Sequence, residues 1–310
     1  MKKALLDVLC CPRCLPEERP LRLHAVEEMD SDVADGRLEC KACGNDYPIR
    51  SGVAHLSPAP ASRPGSRYES APLLSSYLWS HYGDLIPDEE ASDAYQCWAG
   101  LLAPRPGRAL DIGCAVGRFC FEMAARCDLA VGVDSSVSFI RAARTLMQKG
   151  SLSFPLVLEG KITRPAGIVL PADWDRSRVE FVVADALALP FRSASFSSVA
   201  GLNLIDKLSL PLSHFAEVNR VAASRESQFL FSDPFSWSAD SAAPEHWLGG
   251  TEAGPYSGRG LENVAAVLTG AKGGLQPAWR IEQTGSVRWK IRTHENHFEL
   301  IKSRFIKAVR

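Results

Sequence analysis

Apolar positions change period along the chain, and the changes mark out its elements. RALDI (108–112), LAVGVD (129–134), VEFVVAD (179–185), SSVAGLN (197–203) and SQFLFSD (227–233) are short apolar runs that read as buried strands. Between them, FCFEMAARC (119–127), SFIRAARTLMQKG (138–150) and HFAEVNRVAAS (214–224) repeat apolar residues three and four apart, the helical period. This alternation predicts an α/β fold with a mostly parallel sheet and helices on both faces. A stretch rich in Pro, Ser and Ala, SPAPASRPGSRYESAP (57–72), separates it from a cysteine-bearing start. The expected organisation is a small domain over 1–57, a linker over 58–75 and the α/β domain over 76–310. A hairpin insertion is expected near 150–178, with LVLEGKI (156–162) at its turn. The basic tail KSRFIKAVR (302–310) reads as a solvated helix face.

Composition narrows the class. The 310 residues are 46% hydrophobic and 23% charged with a net charge of −1, which disfavours a dedicated nucleic-acid binder. MKKALLDVLCC opens like a secretory signal, but Asp7 interrupts the apolar run and no small-residue cleavage site follows. No stretch reaches membrane-spanning length. The expectation is a cytoplasmic chain, so its nine cysteines are metal ligands or buried thiols rather than disulfides.

Four of them are paired. CPRC (Cys11, Cys14) and CKAC (Cys40, Cys43) are two knuckles, each able to present two thiolates, and together they suit a tetrahedral Zn²⁺ site. Cys10 is a spare beside them. LLDVLCCPRC and LECKACGNDYPIRSGVAHL resemble the small zinc-ribbon proteins that activate tRNA and rRNA methyltransferases, and the likeness implies that the zinc is structural. Cys97, Cys114, Cys120 and Cys127 lack knuckle spacing and read as small buried hydrophobes.

The turn after RALDI carries the chemistry. A dinucleotide fingerprint fails there, because Ala115 and Arg118 stand where its second and third glycines belong. A phosphate-binding loop fails for want of Gly-Lys-Ser/Thr. Asp111, Gly113 and Gly117 instead resemble the D-x-G-x-G-x-G motif of class I S-adenosylmethionine methyltransferases, with Ala115 for the middle glycine. A carboxylate suits a cationic, phosphate-free ligand, and glycines let backbone approach it closely. Asp134, ending the second strand, is placed to accept from vicinal ribose hydroxyls. The resemblance implies that Asp185 holds the adenine amino group with the Ala186 N–H nearby. Tyr82, on a helix expected to cover the cofactor, and Asn203, at the fourth strand's exit, complete the expected binding set.

The acceptor is less legible. GLNLIDKL (201–208) lacks the prolines and aromatic of base-flipping amino methyltransferases, which points to a small molecule. The 150–178 insertion, GLNLIDKL and SDPFSWSADSAAPEHWLGG (232–250) together resemble the domain that methylates the imidazole of mercaptohistidine in ovothiol biosynthesis, a family without the ribbon. Asp206, His81 and His246 are candidate bases, and Asp206 reads equally as a helix cap. RWKIRTHENHFE (288–299) adds Arg292, His294 and His297 to the aromatics and polar groups expected around the pocket. The leading expectation is methyl transfer to a small nitrogenous acceptor. An RNA methyltransferase docking through its ribbon, and a non-catalytic binding partner with the same fold, are the rivals.

Overall fold

The computed structural model describes residues 1–29, 32–58, 67–271 and 274–310. Around the cysteine knuckles run β1 (Arg22–Met29), β2 (Asp32–Glu39), β3 (Asp46–Arg50) and β4 (Val53–Ala54), an antiparallel sheet in chain order. Then come α1 (Ala71–Tyr82), α2 (Ala94–Gly100), β5 (Arg108–Ile112), α3 (Arg118–Ala124), β6 (Leu129–Asp134) and α4 (Val137–Lys149). The hairpin β7 (Ser151–Glu159) and β8 (Ile162–Val169) is followed by β9 (Val179–Val183), β10 (Ser198–Leu202) and α5 (Pro211–Val221). β11 (Gln228–Asp233), α6 (Gly260–Leu268), β12 (Arg280–His294) and β13 (His297–Val309) complete the chain.

The large sheet has the order β12-β13-β11-β10-β5-β6-β9. β11, β10, β5, β6 and β9 run parallel, and β13 lies antiparallel to both β11 and β12. The chain steps outward from β5 to β6 and β9, then returns to lay β10 on the other side of β5. That reversal opens a crevice at the carboxyl ends of β5 and β10, where such sheets bind ligands.

Strand periodicity splits the core between the two faces. Ala109, Ala130 and Phe181 face α1 to α4 and the β7–β8 hairpin, while Leu110, Val131 and Val182 face α5, α6 and the ribbon. Leu5, Leu38, Tyr47 and Ile49 of the ribbon share that second core with Ile112, Val133 and Phe191. The ribbon also closes the sheet's edge. His55 bridges Val183 in parallel, and the Leu56 N–H donates to the Val183 carbonyl at 2.7 Å. An otherwise open edge strand is thereby partly paired.

Three expectations change. KSRFIKAVR is no helix face but the end of β13, with Ser303, Phe305, Ile306 and Ala308 buried and Lys302 and Arg304 outside. RWKIRTHENHFE runs along β12 into the β12–β13 turn; Trp289 borders the cavity described below, whereas His294 and His297 stack on each other at 5.6 Å in the turn. Arg292 is buried within β12. The linker also ends earlier than residue 75, because Glu69 accepts from the Val137 and Ser138 N–H groups at the start of α4 and α1 begins at Ala71. Residues 59–66 lie outside the described residues. No described helix is long and apolar enough to cross a membrane.

Candidate active site and metal centre

The glycine turn joins β5 to α3. Gly113 has φ +75° and donates its N–H to the Val133 carbonyl at 2.8 Å, so the turn is clamped to β6. A Cβ at Gly113 would meet Leu204 at 2.9 Å, which keeps this position small. Ala115 adopts φ +45°, a left-handed backbone that its single methyl tolerates. Gly117, at φ +85°, is needed for a different reason from the one expected. Its Cα packs on Phe181 and Ala143, where a Cβ would stand 2.6 and 2.8 Å away, so it seats α3 against β9 and α4.

The turn borders a cavity whose lining includes Asp111, Gly113, Ala115, Asp134, Asn203 and His81. Asp134 accepts from the Ala115 N–H at 3.0 Å and the Ser136 N–H at 2.8 Å, which fixes its carboxylate at the rim. Burial raises its pKa to about 6. Asp111 lies beneath, buried and accepting from the Cys120 thiol at 3.6 Å, and burial raises it to about 7. Two desolvated carboxylates beside a glycine cradle are an environment that favours a cation, and the donor set fits S-adenosylmethionine. Asn203, at φ +55°, accepts from the Ser303 hydroxyl at 2.6 Å and faces the same cavity.

The opposite wall is aromatic. His81 is fully buried, and its Nε2 shares a hydrogen bond of 2.7 Å with the Tyr95 hydroxyl. Its ring centroid stands 5.7 Å from Tyr77 and 6.2 Å from Trp289, and its Nδ1 has no partner. Burial, aided by Arg118, pushes its pKa well below the usual histidine value, so the ring is neutral. Arg118 is a residue that sequence reasoning passed over. It is buried, donates to the His81 carbonyl at 3.0 Å and to Asp84 at 2.5 Å, and so ties α3 to the end of α1. Tyr95, Trp289 and Lys207 were also missed as cavity residues. Trp289 had a readable signal in the alternation of VRWKI.

Other expected residues stand elsewhere. Tyr82 is buried behind the turn, where its hydroxyl donates to the Val116 carbonyl at 2.9 Å; it supports the loop rather than bordering the cavity. Asp185 and Ala186 lie past the end of β9 and are not among the cavity's lining residues. Asp185 accepts from the Leu187 N–H at 2.9 Å, and the Ala186 carbonyl pairs with His214 Nδ1 at 3.1 Å. Asp206 is buried behind Lys207 and accepts from its ammonium and from the Ser236 N–H, both at 3.0 Å. It bridges the exits of β10 and β11 and makes no side-chain helix cap. His246 lies in an exposed short turn beside Leu210 and Tyr256, in a separate groove.

In the ribbon, the sulfurs of Cys11, Cys14, Cys40 and Cys43 all lie within 4.8 Å of one another, with Cys11–Cys43 at 3.7 Å and Cys14–Cys40 at 3.8 Å. A tetrahedron with Zn–S bonds of about 2.3 Å has S···S edges of about 3.8 Å, so the cluster fits zinc. The Tyr47 hydroxyl, 3.0 Å from the Cys11 sulfur, is positioned to donate to the thiolate. Burial pushes the Cys10 thiol up to about 12, consistent with a spare.

Sheet order, glycine turn and paired carboxylates define an S-adenosylmethionine-dependent methyltransferase, an enzyme, preceded by a four-cysteine zinc ribbon. Residues 110–225 match a family described as a methyltransferase domain, and residues 2–52 match the Trm112p-like proteins. No curated protein matches the chain. Among solved structures, the YcgJ protein of Bacillus subtilis is 15% identical with a TM-score of 0.43, over 69% of this chain and 96% of that one. Phosphoethanolamine N-methyltransferase 2 of Haemonchus contortus, in complex with S-adenosyl-L-methionine, is 17% identical with a TM-score of 0.42, over 61% and 37%. A complex of the Haloferax volcanii Trm112 methyltransferase activator with a candidate methyltransferase gives 10% identity and a TM-score of 0.47, over 78% and 97%.

Proposed function

We propose that the chain methylates a small nitrogenous acceptor. An imidazole-bearing, amino-acid-like molecule is the type implied by the resemblance of its insertion and of GLNLIDKL. The observation that carries this reading is the aromatic wall of Tyr77, His81, Tyr95 and Trp289, with Lys207 as the one Lys or Arg bordering the cavity among the described residues. A neutral nitrogen becomes positive as it takes a methyl group, and aromatic faces favour positive charge. When bound, S-adenosylmethionine supplies a methyl group already activated on a sulfonium. The chain holds the acceptor, excludes water and stabilises the new cation. Asp134 and the Gly113 turn hold the cofactor, and Asp111 adds negative charge beneath it. His81 is oriented by Tyr95 and offers Nδ1 to the acceptor as a hydrogen-bond partner.

An RNA acceptor is the second reading, favoured by the likeness of residues 2–52 to Trm112p-like proteins. The scarcity of cations at the cavity weighs against it, since polynucleotide binding draws on phosphate neutralisation.

Calorimetric titration with S-adenosylhomocysteine comes first, followed by transfer of labelled methyl from S-adenosylmethionine to histidine, mercaptohistidine, histamine and total RNA. Labelled imidazoles with unlabelled RNA are expected. Label on RNA alone overturns the small-molecule reading, and absence of S-adenosylhomocysteine binding overturns both.

A further inference from the structure

A second recess lies apart from the cofactor cavity. It forms where the chain leaves β11, bounded by Phe235, Trp237, Gly258, Arg259, Gly260 and Arg304, with a volume of about 260 Å³. It shares no lining residue with the cofactor cavity. Asp206, next in the chain to the cavity residue Lys207, accepts through its carboxylate from the N–H of Ser236, which stands between Phe235 and Trp237 in the chain.

The recess is lined by two exposed guanidiniums. Among the described residues, neither Arg259 nor Arg304 has a carboxylate partner, and Arg304 commits only its Nε, to the Gly285 carbonyl at 3.3 Å. Asp233 is paired in register with Arg304 across β11 and β13, yet it is fully buried and accepts from the Phe235 N–H at 2.7 Å. Burial, then the neighbouring Asp206 carboxylate, pushes its pKa well above the usual aspartate value, and it makes no ion pair with Arg304. The Trp237 indole nitrogen is buried without an acceptor. Its ring lies parallel to Trp247, at 6.2 Å and 13°, which holds the N–H in place. Helix α6 starts at Gly260 without a side-chain cap, adding first-turn N–H groups, and Glu262 is the acidic residue in that turn.

We propose that this recess binds the phosphate of a phosphate ester. Two guanidiniums and a helix start offer more donors than the two oxygens of a carboxylate or a phosphodiester engage, whereas a phosphate monoester presents three free oxygens. The volume admits the phosphate together with the first atoms of its ester. The monoester comes either from a small acceptor or from the terminal phosphate of a polynucleotide. Its role as an acceptor anchor rests on the function proposed above, but phosphate binding itself does not.

The full-length, zinc-loaded protein is titrated with inorganic phosphate, O-phosphoserine, terminally phosphorylated pentauridylate and acetate while tryptophan fluorescence is followed. Saturable binding of phosphate and O-phosphoserine is expected, weakened at least tenfold in R259Q/R304Q, with S-adenosylhomocysteine affinity unchanged in that variant. In W237F, most of the fluorescence change disappears. Pentauridylate displaced by O-phosphoserine supports the site with a small ester as its source, and pentauridylate that O-phosphoserine fails to displace supports it with a polynucleotide. No saturation, wild-type affinity in R259Q/R304Q, or acetate binding as tightly as phosphate overturns the proposal. Loss of S-adenosylhomocysteine binding in the wild type strikes the function proposed above and leaves this site standing.

Discussion

His81 and Tyr95 share a buried hydrogen bond of 2.7 Å that sets which way the imidazole faces the cavity. Tyr95→Phe removes the hydroxyl and frees the ring to turn. The expected result is a fall in kcat of about tenfold or more on an identified acceptor, because misplacing one oriented group is costly. S-adenosylhomocysteine affinity should stay within about threefold, since Asp134 and the glycine turn are untouched. Equal kcat in both proteins sinks the orienting role.

Asp134 ends β6 and Asp185 follows just past the end of neighbouring β9, yet Asp134 borders the cavity and Asp185 closes a turn. Asp134→Ala should weaken S-adenosylhomocysteine by at least about tenfold, since hydrogen bonds to a charged group contribute about 1.5–3 kcal/mol each. Asp185→Asn should cost less than Asp134→Asn. Calorimetry on the three variants decides it, and a larger loss at Asp185 would falsify this ranking.

Acidity should act on cofactor binding. Asp111 and Asp134 are raised to about 7 and about 6 because folding desolvates them. The folded chain therefore binds these protons more tightly than the unfolded chain, whose aspartates titrate near ~3.9. In the unliganded protein, stability from these groups is present at low pH and is lost as pH rises through about 7. A cationic ligand works in the opposite direction by favouring the ionised carboxylates. S-adenosylmethionine affinity should thus drop as pH falls from 8 through about 6, and more steeply than that of S-adenosylhomocysteine, which lacks the sulfonium. Parallel titrations across that range test this, and identical pH profiles for the two ligands would refute it.

Arg144 joins the ribbon to the sheet. It is buried on α4, pairs with Glu180 of β9 and reaches Asp32 of the ribbon at 2.9 Å. Arg144→Met strands Glu180 without its cation and should cost about 3–5 kcal/mol in urea unfolding. Arg144→Met with Glu180→Met should recover part of that loss, because the uncompensated charge is gone. A double variant no more stable than the single one argues against a charge origin.

Zinc removal should reach beyond the ribbon. Its core is continuous with the sheet face behind β6 and β9, and Leu56 pairs with that edge at Val183. Cys40→Ser should lower the metal content and the Tm by several degrees, with increased aggregation from the uncovered β9 edge. Metal analysis and thermal scans give the comparison. An unchanged Tm in metal-free protein would show that the ribbon packs without its ion.

Local chemistry made part of this protein legible in its sequence. Short apolar runs mark β5, β6, β9, β10 and β11 and helical repeats mark the helices between them, because these strands are covered on both faces and each helix on one. Knuckle spacing pairs the cysteines, and the glycines with Asp111 and Asp134 mark the cavity's floor. Tertiary structure alone decided which groups meet across long separations. Tyr95, Trp289 and Lys207 come from α2, β12 and the exit of β10, and no local pattern announces that they share a wall. Gly117 has the expected backbone but serves packing against Phe181, and Asp206, read as a base or a helix cap, lies buried behind Lys207. β13 was hidden because Lys302 and Arg304 alternate outward from an edge region where only one face needs to be apolar. A side chain's direction depends on the register of strands far apart in sequence, and that register is settled only when the whole sheet closes over its two cores.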